Sequence, residues 1–168
     1  NFNFQKKKLF VLSTFGHCGI DHLHSLLDNH KQVIIIPNLS FYRKLEVFEK
    51  KKITNLYNKS FISKFIDFIL KNRKHTLRYK ILKKKHQKKI FKSFVFEYLN
   101  TKKNIIPKKD LFEAIHYAFA KINNFTQQKK IIIAHEHVPW NCYKYQDFFP
   151  TKYLFIIRDP RASIAGSL

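Results

Sequence analysis

Two stretches of the chain join an apolar run, typical of a buried strand, to residues suited to binding anions. Near the start, the run LFVLS at 9–13 leads into a loop that contains Gly16 and Gly19. Near the end, the run YLFII at 153–157 is followed at once by Arg158. A loop and helix N-terminus after a strand present unpaired backbone N–H groups that bind anions. The pair therefore predicts two anion sites on one sheet, as a ligand with phosphates at both ends requires.

A third stretch places titratable side chains at the end of an apolar run. His135 closes the predicted strand 130–135, and Glu136 and His137 follow it. Open parallel sheets bind ligands at the carboxyl ends of their strands, so these side chains are candidates for chemistry. A zinc site at His135 and His137 is less favoured, because no third or fourth ligand is recognisable nearby. Another alternative is that these residues only finish the strand.

The elements that would position these residues alternate between strands and helices. The β-branched run at 32–37 is typical of a parallel strand covered on both faces. After it, apolar residues recur at helical spacing, as Leu111, Ile115 and Ala118 do. The pattern predicts strands at 8–13, 32–37, 130–135 and 153–158, and helices at 20–29, 39–51, 61–70, 77–99, 111–125 and 141–149. Strand–helix–strand units of this kind make right-handed crossovers.

The two anion motifs resemble those of the sulfotransferases that use PAPS (3′-phosphoadenosine 5′-phosphosulfate). In that family a loop of the type basic-Ser-Gly-Thr-Thr follows the first strand and holds the 5′-phosphosulfate, and residues 16–30 are similar to this loop and its helix. The second motif is a strand, then Arg, then a Ser further on, which hold the 3′-phosphate, and residues 158–167 are similar to it. The resemblance covers both ends of the chain and is faint between them.

The resemblance implies a set of site residues and PAPS as co-substrate, with no metal. The residues expected to bind PAPS are Gly16, His17, Cys18, Gly19, Ile20, Asp21, Arg158 and Ser167. One branch of the family carries a His-x-Pro element after the third strand, which matches His137-Val138-Pro139, whereas other branches use Glu. Either His137 or Glu136 is therefore the expected catalytic base.

The chain also departs from the family pattern. His17 stands where the family has Arg or Lys, Cys18 stands for Ser, and Asp21 stands for the second Thr. Ser167 lies one residue beyond the usual position of the second-motif Ser. A backbone cradle needs the glycines, which remain, and Asp21 would be repelled by a phosphosulfate unless it caps the helix.

The same resemblance implies the fold. It predicts an α/β three-layer sandwich with a central parallel sheet, P-loop NTPase-like and sulfotransferase-like, with a helical insertion at 38–128 on the acceptor side. The 168 residues have room for one domain with a real core. Because sulfotransferase domains are longer, we expect residues 1–168 to be a single, truncated domain.

The charge and composition of the chain limit the partners and the location that can be expected. The formal net charge is +22, but the lysine runs are scattered, so a solvated basic surface is favoured over a specific nucleic-acid site. No apolar run reaches the roughly 20 residues of a membrane helix. Two cysteines cannot build a disulfide framework, which favours a reduced, cytoplasmic protein.

The resemblance to the sulfotransferases implies an enzyme that transfers the sulfuryl group of PAPS to a hydroxyl or amine of a small-molecule or glycan acceptor. One alternative is a basic polyanion-binding or catalytically inactive remnant, whose binding would depend on salt rather than on the adenosine. Another is a nucleotide kinase-like P-loop protein. The kinase is disfavoured because Gly16 and Gly19 are too close for the Walker pattern and no Lys follows Gly19.

Overall fold

The computed structural model describes residues 7–14, 19–28, 30–37, 39–49, 56–71, 81–82, 86–100, 105–125, 130–157, 159 and 161. In chain order they form β1 (Lys8–Thr14), α1 (Ile20–Leu27), β2 (Val33–Ile35), α2 (Phe41–Glu49), β3 (Leu56–Tyr57), α3 (Lys59–Ile69), α4 (Gln87–Leu99), β4 (Ile106–Pro107), α5 (Lys108–Ile122), β5 (Ile131–Glu136), a 3-10 helix (Pro139–Asp147) and β6 (Thr151–Ile156).

Four of these strands form one parallel sheet in the order β2-β5-β1-β6. β1 is central and pairs Leu12 with His135 on one side and with Leu154 on the other. Helices flank the sheet. The predicted α/β class with a central parallel sheet is thus confirmed, and the layout is compatible with a P-loop-like or Rossmann-like arrangement.

The side chains of β1 alternate between two cores, because successive residues of a strand point to opposite faces. Leu9 and Val11 belong to the larger core, which also contains buried residues of α2 to α5 and of the 3-10 helix. Leu12 belongs to a smaller core with Ile20 of α1. The described helices between β2 and β5 therefore contribute to the main core on one face of the sheet.

Aromatic side chains hold that larger core together. The Phe41 ring at the start of α2 contacts Phe65 of α3, Phe112 of α5 and Phe148 after the 3-10 helix, with ring centroids 6.3, 5.3 and 6.3 Å away. Edge-on arrangements of this kind are favourable beyond the area they bury. Phe41, the first residue of α2, thus packs that helix against α3, α5 and the residue that follows the 3-10 helix.

Several predicted elements differ from the observed ones. The antiparallel ribbon of β3 and β4 was not predicted, because two-residue strands are too short to show alternation. The helix predicted at 141–149 is the 3-10 helix, which begins two residues earlier. Within the predicted helix 77–99, the described residues 81–82 are not helical and α4 begins at Gln87.

The strand predicted as buried at 153–157 is exposed, which corrects the sequence-based expectation. Tyr153, Leu154 and Phe155 of β6 are 39%, 48% and 42% exposed. β6 is the edge strand beside β1, and the described helices cover the sheet over β1, β2 and β5 instead. Among the described residues, no helix is long and apolar enough to cross a membrane.

Candidate functional site

The carboxyl ends of β1 and β5 lie side by side and define the candidate site. The connection after β1 runs to β2 at one edge, whereas the connection after β5 runs past β1 to β6 at the other. α1 contributes to the core on one face of the sheet and the 3-10 helix to the core on the opposite face. In open parallel sheets, ligands bind outside the carboxyl ends at such a switch point.

Polar side chains at the end of β1 link the carboxyl ends of three neighbouring strands. The Ser13 hydroxyl donates to the Glu136 backbone carbonyl at 2.7 Å, and the Thr14 hydroxyl donates to the Ile156 carbonyl at 3.2 Å. The two bonds link the carboxyl ends of β5, β1 and β6. They fix the part of the sheet from which the predicted anion loop departs.

The start of α1 is the described part of the predicted cradle. Gly19 is its N-cap in the left-handed conformation, with φ 81°, and the Gly19 carbonyl accepts from the N–H groups of His22 and Leu23 at 3.1 and 3.2 Å. No described atom lies within 4 Å of where a Cβ of residue 19 would sit. Glycine is therefore required here for its backbone conformation.

Of the other predicted cofactor-binding residues, the structure describes two and does not describe five. Ile20 is buried and begins α1, and the backbone of Asp21 belongs to the same helix. Gly16, His17, Cys18, Arg158 and Ser167 lie outside the described residues. Their predicted roles remain predictions.

Glu136 at the end of β5 is fully buried and accepts hydrogen bonds from several elements. Its Oε1 accepts from the Ser40 hydroxyl and, at 3.3 Å, from the Val138 N–H. Its Oε2 accepts from the Tyr145 hydroxyl at 3.2 Å. Burial raises the pKa of this carboxyl, against the hydrogen bonds that lower it.

The same carboxylate caps α2. It also accepts from the backbone N–H of Arg43, the third residue of that helix. A carboxylate at a helix N-terminus satisfies an otherwise unpaired donor and interacts favourably with the helix dipole. Glu136 thereby joins the sheet edge to α2 and the 3-10 helix.

Ser40, which the sequence analysis did not single out, completes the hydrogen-bond network around Glu136. It is buried immediately before α2, and its hydroxyl accepts from the His137 backbone N–H at 3.3 Å while it donates to Glu136. A Ser before a helical pattern is a typical N-cap, which is the only signal it carried. Ser40 and Glu136 together hold the backbone of residues 137 and 138.

The two predicted bases occupy different environments. Glu136 points to the face of α2, and all of its surface is excluded from water. His135 and His137 share the opposite side, with ring centroids 4.3 Å apart, and His137 is only half-buried. Of the two, His137 is the side chain that a ligand can reach.

The His135 ring is buried and contacts His24, a residue that the sequence analysis did not single out. Its Nδ1 lies 3.1 Å from Nδ1 of His24 on α1, which is also buried. Burial, followed by the neighbouring His137 and His24, lowers the pKa of His135 to about 3. Within the ranges that the structure describes, no three or more His, Cys, Asp or Glu side chains are arranged to hold a metal ion.

Comparison of the chain with protein-family models, with curated proteins and with solved structures finds no match.

The Glu136 carboxyl predicts a distinct pH dependence of stability. Because folding raises its pKa, its contribution is full below the ordinary carboxyl pKa and is lost as pH rises through the raised value. The free energy of unfolding of the wild type, relative to Glu136→Gln, should therefore fall in urea titrations as pH rises above the ordinary carboxyl pKa of about 4.3.

Glu97→Gln is the matched control. The Lys121 ammonium, by its hydrogen bond, lowers the pKa of the Glu97 carboxyl, so the wild type should lose stability relative to that variant as pH falls. A Glu136 difference that grows with pH would show that the hydrogen bonds outweigh burial and that the assigned direction is wrong.

Proposed function

We propose that the chain is a PAPS-dependent sulfotransferase of P-loop-like fold that acts on a hydroxyl or amine acceptor. The observation that supports this most is a convergence at one edge of the sheet. The glycine-started helix after β1 and the reachable His137 after β5 meet at its switch point. An anion-binding helix beside a base is what sulfuryl transfer from a phosphosulfate needs.

The binding roles follow from the order of the strands. The first backbone N–H groups of α1 and the positive end of its dipole suit the 5′-phosphosulfate. β6 neighbours β1, and Arg158 follows it in the sequence two residues after Ile156. In the proposal, Arg158 holds the 3′-phosphate, with Ser167 as the further hydroxyl that the resemblance implies.

In the proposed transfer step, one proton moves to His137 and one bond at sulfur replaces another. His137 takes the proton of the acceptor hydroxyl or amine as that oxygen or nitrogen attacks sulfur in line. The bond between sulfur and the bridging phosphate oxygen breaks, and its electron pair leaves with PAP (3′-phosphoadenosine 5′-phosphate). The N–H groups of α1 stabilise the charge that develops on the departing phosphate.

Glu136 has a different role in this mechanism. Its carboxylate is occupied by donors from Ser40, Tyr145 and the backbone, and it lies on the other face of β5 from His137. It supports the backbone that carries the base. His137 is therefore preferred as the base over Glu136.

Binding of the desulfated product tests the cofactor directly. We expect PAP to bind more tightly than AMP in calorimetric titrations, because only PAP carries the 3′-phosphate. Arg158→Ala should weaken PAP roughly 10- to 100-fold, since a charge-assisted hydrogen bond contributes about 1.5–3 kcal/mol, and should leave AMP almost unchanged.

The matched control is Arg161→Ala. The Arg161 guanidinium is exposed and engaged with Asp159 at 2.7 Å, so this variant should bind PAP normally. Equal losses for PAP and AMP in Arg158→Ala would contradict the assignment. Binding that ignores the adenosine and falls with salt would favour the polyanion-binding alternative.

Turnover tests the base. His137→Ala should lower the rate of PAP release from PAPS by about 10²–10⁴, as loss of a general base does, while PAP affinity stays nearly constant. The measurement uses a panel of phenol, alcohol and amine acceptors. His86→Ala, at an exposed histidine before α4, is the control. If both variants turn over at the wild-type rate, the base lies elsewhere.

A further inference from the structure

Three histidines from separate parts of the chain come together beside the carboxyl end of β5. His24 lies on α1, His135 on β5, and His137 just after β5. The Nδ1 atoms of His24 and His135 are 3.1 Å apart, and their ring centroids are 5.3 Å apart. The ring centroids of His135 and His137 are 4.3 Å apart. The three imidazoles thus form a row from α1 to the proposed base.

The middle ring depends on the contact with His24. His135 Nε2 is buried and makes no hydrogen bond to any described residue, so its Nδ1 bond to His24 is the polar contact that orients the ring. An N···N hydrogen bond requires one nitrogen to donate and the other to accept. At most one of the two facing nitrogens therefore carries a proton.

Burial keeps His135 neutral. It is the main cause of the lowered pKa of this ring, and the neighbouring His137 and His24 add to its effect. Glu136, the next residue along β5, points to the opposite face, where it caps α2. A neutral, hydrogen-bonded His135 presents a fixed ring surface to His137.

We infer that His24 is a positioning residue for His137 and acts through His135. The inference rests on the proposed function, because it gives His137 the role of base. Ser40 holds the backbone N–H of His137 and Glu136 holds that of Val138, whereas His24 and His135 hold the side on which the His137 ring packs. Since His24 belongs to α1, the same contact sets the distance between the phosphosulfate end of that helix and the base.

The test compares two substitutions of His24 with a control on the same helix. His24→Leu fills the site without the hydrogen bond, whereas the His24→Asn amide can reach the position of Nδ1 and restore it. We expect His24→Leu to lower kcat for PAPS roughly 10- to 100-fold, as misplacement of a catalytic group does, with a changed pH profile and little change in PAP affinity. His24→Asn should recover most of kcat. Leu26→Asn, at an exposed position in the last turn of α1, should match the wild type.

A second readout does not depend on turnover. In NMR spectra of the imidazole signals without PAPS, His24→Leu should shift the signals of His135 and of His137, because the hydrogen bond at His135 Nδ1 is lost. Unchanged His137 signals and pH profile in His24→Leu, or equal loss of kcat in both His24 variants, would overturn the inference. Failure of the proposed function appears separately, as absence of PAP binding in the wild type.

Discussion

The buried Glu136 carboxylate is the interaction on which the rest of the candidate site depends. Removing a carboxylate from water is costly unless hydrogen bonds and favourable dipoles compensate. Here the donors come from Ser40, Tyr145 and the backbone of Arg43 and Val138. Loss of the carboxylate would leave the buried hydroxyls of Ser40 and Tyr145 unsatisfied, each at a cost of about 1–3 kcal/mol. The sheet edge, α2 and the 3-10 helix are therefore held in one geometry.

The alternation of side chains along β5 then divides the site between the two faces of the sheet. Ala134 and Glu136 face the large core of α2 and the 3-10 helix, whereas Ile133 and His135 face α1. His137 follows where the strand has ended, with its backbone fixed from one face and its ring packed from the other. A ligand bound at the start of α1 would thus meet a side chain whose position both faces determine.

The elements with a local sequence signal were predicted, whereas exposure, pairing and capping that depend on tertiary contacts were not. β1, β2 and β5 are continuous apolar runs because both of their faces are buried. The apolar run of β6 has the same signal, yet β6 is an exposed edge, since a strand cannot encode which neighbours it has. His24 gives no signal in the sequence, because its partner lies on β5, 111 residues away. The capping of α2 by Glu136 is equally non-local.

In the proposed function, a 3′,5′-bisphosphate of adenosine binds where β1 and β5 end. An NMR titration of isotope-labelled protein with PAP tests this binding, because each backbone amide reports separately. We expect saturable shifts for Gly19 to Leu23 and for His137 and Val138, with the ribbon of β3 and β4 unaffected. Shifts spread over the exposed lysines of α3 and α4 that fade with added salt, with Gly19 to Leu23 silent, would contradict it.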